Sequence, residues 1–138
     1  MHITAHTQPS GNKPNEDWFA ASDGLVVILD GATIRTDTGC IRNPGAAAHS
    51  LTGSAPVGQV ERVAVCSDGA MRALDLTPID TTAGVLRVLR EAGPDGLVEQ
   101  VRAAEDDDPL GARVPRNKAR DDATAVLVET RYDRENSA

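Results

Sequence analysis

Three apolar runs constrain this chain most, because carboxylates stand at the end of each. "LVVIL" (Leu25 to Leu29) closes on Asp30-Gly31, and "VERVAVCSDGA" (Val60 to Ala70) closes its run on Asp68-Gly69. In "RDDATAVLVE" (Arg120 to Glu129) the order reverses, and Asp121 and Asp122 stand directly before the run. Short apolar runs bounded by turn residues read as buried strands. The first has a partner close by, since "DWFAAS" precedes it across Asp23-Gly24, a hairpin signal. In an antiparallel hairpin the start of one strand lies beside the end of the other. Asp17 and Asp30 are therefore expected as neighbours at one rim of a sheet. Two carboxylates held close repel, and a divalent cation between them is the usual relief.

The rest of the chain sorts around these runs. "MHITAHT" alternates weakly as a strand, and "QPSGNKPN" is a loop of breakers. From Ala32 to Gly58 the pattern fades, with one helical turn expected near "GAAAHS". "GAMRAL" reads as a further helical turn. In "PIDTTAGVLRVLREAG", Val85, Leu86, Val88 and Leu89 keep helical spacing behind an N-cap at Asp80 or Thr81, and Gly93 ends the helix. "PDGLVEQVRAAEDDD" repeats the device, with Leu97, Val98 and Val101 on the apolar face and Glu105 to Asp108 expected as a solvated helix end. "PLGARVPRNKARDD" reads as an exposed basic connection, a solvated loop rather than a phosphopeptide groove. Strands first and helices between them and the last strand predict an α+β sandwich in one domain, residues 1–131, with a polar tail over 132–138.

Composition narrows the partners. A net charge of −7 argues against a nucleic-acid backbone, which needs clustered Lys and Arg. No apolar stretch approaches the ~20 residues that span a bilayer, so no membrane partner is expected. "MHITAHTQPSGN" turns polar at once, unlike a secretion leader, and Cys40 and Cys66 make no disulfide framework. A reduced, cytoplasmic protein is expected, with Cys66 a small hydrophobe on its strand. His2, His6 and His49 lack metal-ligand spacing.

Acids converging from several strands suit hard cations such as Mg²⁺ or Mn²⁺, which take oxygen ligands. Asp-Gly fits such a rim, because glycine lets a backbone carbonyl approach the ion. "NED" before a strand pair ending in "DG", a later strand ending in "SDG", and "RNKARDDATAVLV" at the last strand together resemble the PPM-type metal-dependent protein serine/threonine phosphatases, the type 2C family, in its bacterial members. The resemblance implies a four-layer αββα architecture, a β-sandwich flanked by helices. It implies two Mn²⁺ or Mg²⁺ ions and hydrolysis of phosphoserine or phosphothreonine on a phosphorylated protein or peptide by a water those ions activate. Carried over residue by residue, it makes Asp17, Asp30, Asp68 and Asp121 metal ligands, with the Gly31 carbonyl joining Asp30, the acid that bridges both ions. Lys13 stands nearest to the position of the basic residue, usually Arg, that holds the substrate phosphate in the family.

The chain departs from the family in one large respect. The interval between Asp30 and Asp68 lacks the family's long helices and central strands, as if a block were missing near Arg42 and Asn43, and "DGATIR" replaces "DGMGGH". Two functions follow as alternatives: the phosphatase itself, or a truncated and catalytically impaired relative acting as a binding or regulatory module. "VVILDGAT" raises a third, the haloacid dehalogenase class, but that class needs an acid two residues after its nucleophile, where this chain has Ala32.

Overall fold

The computed structural model describes residues 1–30, 35–36, 39–40 and 53–130. Its architecture is mixed α+β, built on a three-stranded sheet. Strand β1 (His2–Gln8), the hairpin strands β2 (Trp18–Ser22) and β3 (Leu25–Leu29), and a two-residue ladder of β4 (Arg35–Thr36) with β5 (Gly39–Cys40) come first. They are followed by β6 (Arg62–Cys66), two single turns of helix, α1 (Asp68–Met71) and α2 (Ala73–Leu76), the long helix α3 (Thr82–Asp107) and strand β7 (Ala123–Glu129).

The last strand takes the centre. β7 pairs antiparallel with β1 on one side and β6 on the other, from His2 opposite Glu129 to Gln8 opposite Ala123, and from Arg62 opposite Glu129 to Cys66 opposite Ala125. A central strand buries both faces, which is why "ATAVLV" is apolar nearly throughout. Ala123, Ala125 and Leu127 meet Val85, Leu89, Leu97, Val98 and Val101 of α3 in the core. Thr124, Val126 and Val128 alternate onto the opposite face and are buried too. Small alanines on the sheet let the helix approach closely, so a chain with so few aromatics still closes a core.

Helix α3 starts where its cap predicts, with the Thr81 hydroxyl accepting from the Gly84 N–H at 3.1 Å. Gly93 breaks it, as expected, at φ 78° and ψ 174°, a backbone that an L side chain rarely takes. Pro94 follows and a second helical stretch runs on to Asp107, so α3 is two helices joined at a kink, as the repeated pattern predicts. Both halves keep their apolar face on the sheet.

Two expectations need correction. Glu105 and Asp108 are not a solvated helix end, because both are buried, Glu105 to 1% exposure. The "LVVIL" strand is not fully buried either: Leu25 is 62% and Leu29 55% exposed, with Val26, Val27 and Ile28 half-buried. Its ladder partner among the described residues is β2 alone, so no sheet lies along both its edges. The expected helical turn near "GAAAHS", the break near Arg42 and Asn43, and the tail over 132–138 lie outside the described residues. Among the described residues no helix is long and apolar enough to cross a membrane.

Candidate metal centre at the sheet rim

The strand registers bring one end of the sheet together. Gln8, Ala123 and Cys66 sit at the same rim, so the loop after β1, the Asp121-Asp122 pair before β7 and the Ser67-Asp68 pair after β6 meet there. The hairpin adds its own end. Trp18 pairs with Leu29, which sets Asp17 beside Asp30 in the register expected from sequence. The turn at Asp23-Gly24 is tight, but neither residue has positive φ, so it is not the primed type that Asp-Gly favours.

Asp30 and Asp68 meet directly. The Asp68 backbone N–H donates to Asp30 Oδ2 at 3.3 Å. Burial, then the Asp68 carboxylate, then that of Asp17 push the Asp30 carboxyl up to about 6, against the pull of the Asp68 N–H. Burial is the largest of these causes, and the two neighbouring carboxylates add to it.

Asp17 is buried and aimed by a line of hydrogen bonds. The Asn15 amide donates to Thr7 Oγ1 at 2.7 Å, and the hydroxyls of Thr7 and Thr124 lie 2.8 Å apart. Thr124 Oγ1 donates to Asp17 Oδ2 at 2.8 Å, so its proton is committed and the Thr7 hydroxyl must be the donor between them. The Asp17 N–H donates back to Asn15 Oδ1 at 3.0 Å and closes the ring. Ser67 ties the same threonine to the strand beside it, its Oγ accepting from the Thr124 N–H and its N–H donating to the Thr124 carbonyl.

Asp122 has a different task. Its two oxygens accept from the backbone N–H groups of Ser10 and Glu16, each at 2.6 Å. Burial pushes its carboxyl up, but these donors outweigh burial and hold it below the usual range. They pin both ends of the loop that carries Lys13, which is exposed and, among the described residues, makes no hydrogen bond or ion pair. Gly69 locks α1 onto this strand start: a Cβ there would stand 1.9 Å from the Asp122 carbonyl oxygen, so only glycine fits.

Asp121 faces cations. Lys118 Nζ lies 2.8 Å from its Oδ1 and Arg72 Nη2 3.4 Å from its Oδ2. Arg72 is itself anchored by Glu105, whose Oε1 takes Arg72 Nη1 at 2.8 Å and whose Oε2 takes Arg102 Nη1 at 2.7 Å. Arg102 also donates to the Gln8 carbonyl at 3.1 Å. The basic connection is likewise more built than its sequence suggests. Asp108 accepts from the N–H groups of Ala112, Arg113 and Val114 and pairs with the half-buried Arg116.

The predicted acids thus fall into two groups, Asp17, Asp30 and Asp68 on one side and Asp121 with its cations on the other. Gly31 lies outside the described residues. Among the described residues no three His, Cys, Asp or Glu side chains close to metal-holding distance. The donor set is of the kind a hard cation takes: all oxygen, with Asp30 and Asp68 adjacent and a third carboxylate in Asp17 that spends only Oδ2. Sequence reasoning missed Thr124, Arg72, Lys118 and Glu105. A hydroxyl inside an apolar strand marks the first, since a buried polar group needs a partner. No family model, curated protein or solved structure matches the chain.

Proposed function

We propose that this chain is a metal-dependent phosphohydrolase of the PPM type, acting on phosphoserine or phosphothreonine in proteins through a shortened form of that family's four-layer architecture. The observation that carries the reading is the meeting of Asp17 and Asp30, at the open end of one hairpin, with Asp68 after β6, where burial and then the two neighbouring carboxylates raise the Asp30 carboxyl. Mn²⁺ or Mg²⁺ suits an all-oxygen site. When bound there, such an ion supplies Lewis acidity toward water and phosphoryl oxygen. Asp30 and Asp68 would hold it, with Asp17 kept in aim by Thr124. Lys13, on the loop that Asp122 pins beside the rim, would supply positive charge to the substrate phosphate.

A second reading has its own support. Asp121, the remaining ligand by resemblance, is engaged by Lys118 and Arg72, which favours a catalytically impaired module that holds fewer ions. Hydrolysis of p-nitrophenyl phosphate with Mn²⁺, with and without chelator, separates the two. The phosphatase reading expects chelator-sensitive turnover that falls at least about a hundredfold in Asp30→Asn. Folded protein that binds Mn²⁺ without turnover supports the impaired module. Full turnover in Asp30→Asn contradicts the site.

A further inference from the structure

We infer that the open edge of β6, with the groove between it and the first half of α3, is a docking site for an extended acidic peptide segment of a partner protein. The inference is independent of the metal-site reading and concerns the end of the sheet away from the acidic rim. The strand register decides which backbone groups are on offer. The Ser67 N–H donates to the Thr124 carbonyl and the Thr130 N–H to the Glu61 carbonyl, so Glu61, Val63, Val65 and Ser67 are the positions that exchange bonds with the β7 side. The N–H and C=O groups of Arg62 and Ala64 therefore face away from β7, and among the described residues no strand pairs with them. Such an edge is a template for an added strand. It lacks the usual protection, since no proline, lysine or bulge interrupts "RVAVC" and Val63 is 42% exposed.

The groove beside that edge is the second observation. Helix α3 packs over β7 and β1, and Ala64, which shares a sheet face with the core residue Leu127, is left exposed. Between β6 and α3 lies a groove of about 700 Å³, with Val60, Ala83 and Leu86 as its apolar lining and Arg62, Arg87 and Arg90 as its cations. Arg62 already meets Glu129 at 3.1 Å and Glu61, which also lines the groove, at 3.7 Å. Arg90 meets Glu91 at 3.0 Å. Arg87 is exposed and, among the described residues, makes no hydrogen bond or ion pair. In a chain of net charge −7, a groove that gathers three arginines selects acidic side chains over basic ones. A strand added to β6 turns every second side chain toward this face, where a carboxylate can take a guanidinium. A second copy would offer the same arginine-lined edge instead of a complementary one.

The test is binding of a short fluorescein-labelled peptide of alternating Val and Glu to the full chain, followed by anisotropy, beside a peptide of alternating Val and Lys. The acidic peptide should bind, and the basic one should bind at least about tenfold more weakly. Arg87→Glu, at a side chain with no partner among the described residues, should weaken the acidic peptide about tenfold. Arg113→Glu makes the same charge change at a side chain that is 65% exposed and outside the groove, and should leave binding within about twofold. Ala64→Pro removes an N–H that faces away from β7, so it should abolish binding with the ladder intact. If that variant does not fold, Arg87→Glu still decides. No binding of the acidic peptide to the folded parent, equal binding of the two peptides, or binding that Arg87→Glu leaves unchanged would overturn the inference. So would a parent that sediments as a dimer with an Ala64→Pro variant that sediments as a folded monomer, because the edge would then belong to a second copy.

Discussion

At Asp30 the fold holds a carboxylate that, among the described residues, no cation pairs with, next to Asp68 and Asp17. Its carboxyl titrates at about 6 instead of 3.8, so between those values the folded chain binds more protons than the unfolded one. Stability from this group is then complete below about 3.8 and lost as pH rises through about 6. For a side chain this exposed, screening leaves about 1 kcal/mol of the effect. Asp30→Asn should therefore stabilise the metal-free protein by about 1 kcal/mol at pH 7 and change little at pH 4, read from denaturant midpoints at both. Equal effects at the two pH values would show that its neighbours do not load this carboxyl. The hairpin register that produces the pairing was legible from "DWFAASDGLVVILD" because it follows from the turn and strand lengths. Gly69 was legible as a turn residue, but not its 1.9 Å approach to Asp122, which depends on a strand more than fifty positions away.

Helix α3 does more than cover the sheet. Its apolar face runs through Leu97, Val98 and Val101 into Glu105, which stays buried because Arg72 and Arg102 each take one of its oxygens. The pair joins the helix to the segment after α1 and, through Arg102, to the Gln8 carbonyl. Reading "EDDD" as a charge run missed this, although Glu105 lies four residues beyond Val101, on the face already assigned to the core. Composition showed four acids, and helical phase would have separated Glu105 and Asp108 from the exposed Asp106 and Asp107. Removing one partner of a buried pair leaves charge without compensation, so Glu105→Gln should cost about 3 kcal/mol, measured by chemical denaturation. The control, Glu61→Gln, touches a side chain 84% exposed and should stay within about 0.5 kcal/mol. Comparable losses from both would remove Glu105 from its place as the anchor of Arg72.

Over the whole molecule, the arrangement of one central strand does most to build the candidate site. β7 comes last in sequence and middle in space, so its start carries Asp121, Asp122 and Thr124 to the point where β1, β6 and the hairpin end. The strands themselves and the acids at their ends were legible from apolar runs and punctuation. Which acid meets which partner was not, because Arg72 with Asp121 and Thr124 with Asp17 are contacts between segments that share no local pattern. The basic connection illustrates the same limit: Asp108 organises it by gathering three N–H groups and Arg116, and its carboxyl is held well below the usual range, first by the Val114 N–H. The central claim is that acids distant in sequence form one cation-gripping rim, and paramagnetic broadening by substoichiometric Mn²⁺ tests it across the whole chain at once. The account predicts that backbone amide signals of Asp17, Asp30, Asp68 and Asp121 broaden together, ahead of those of the exposed Asp106 and Asp107. Broadening that begins at Asp106 and Asp107, or that leaves the four rim residues untouched, would contradict it.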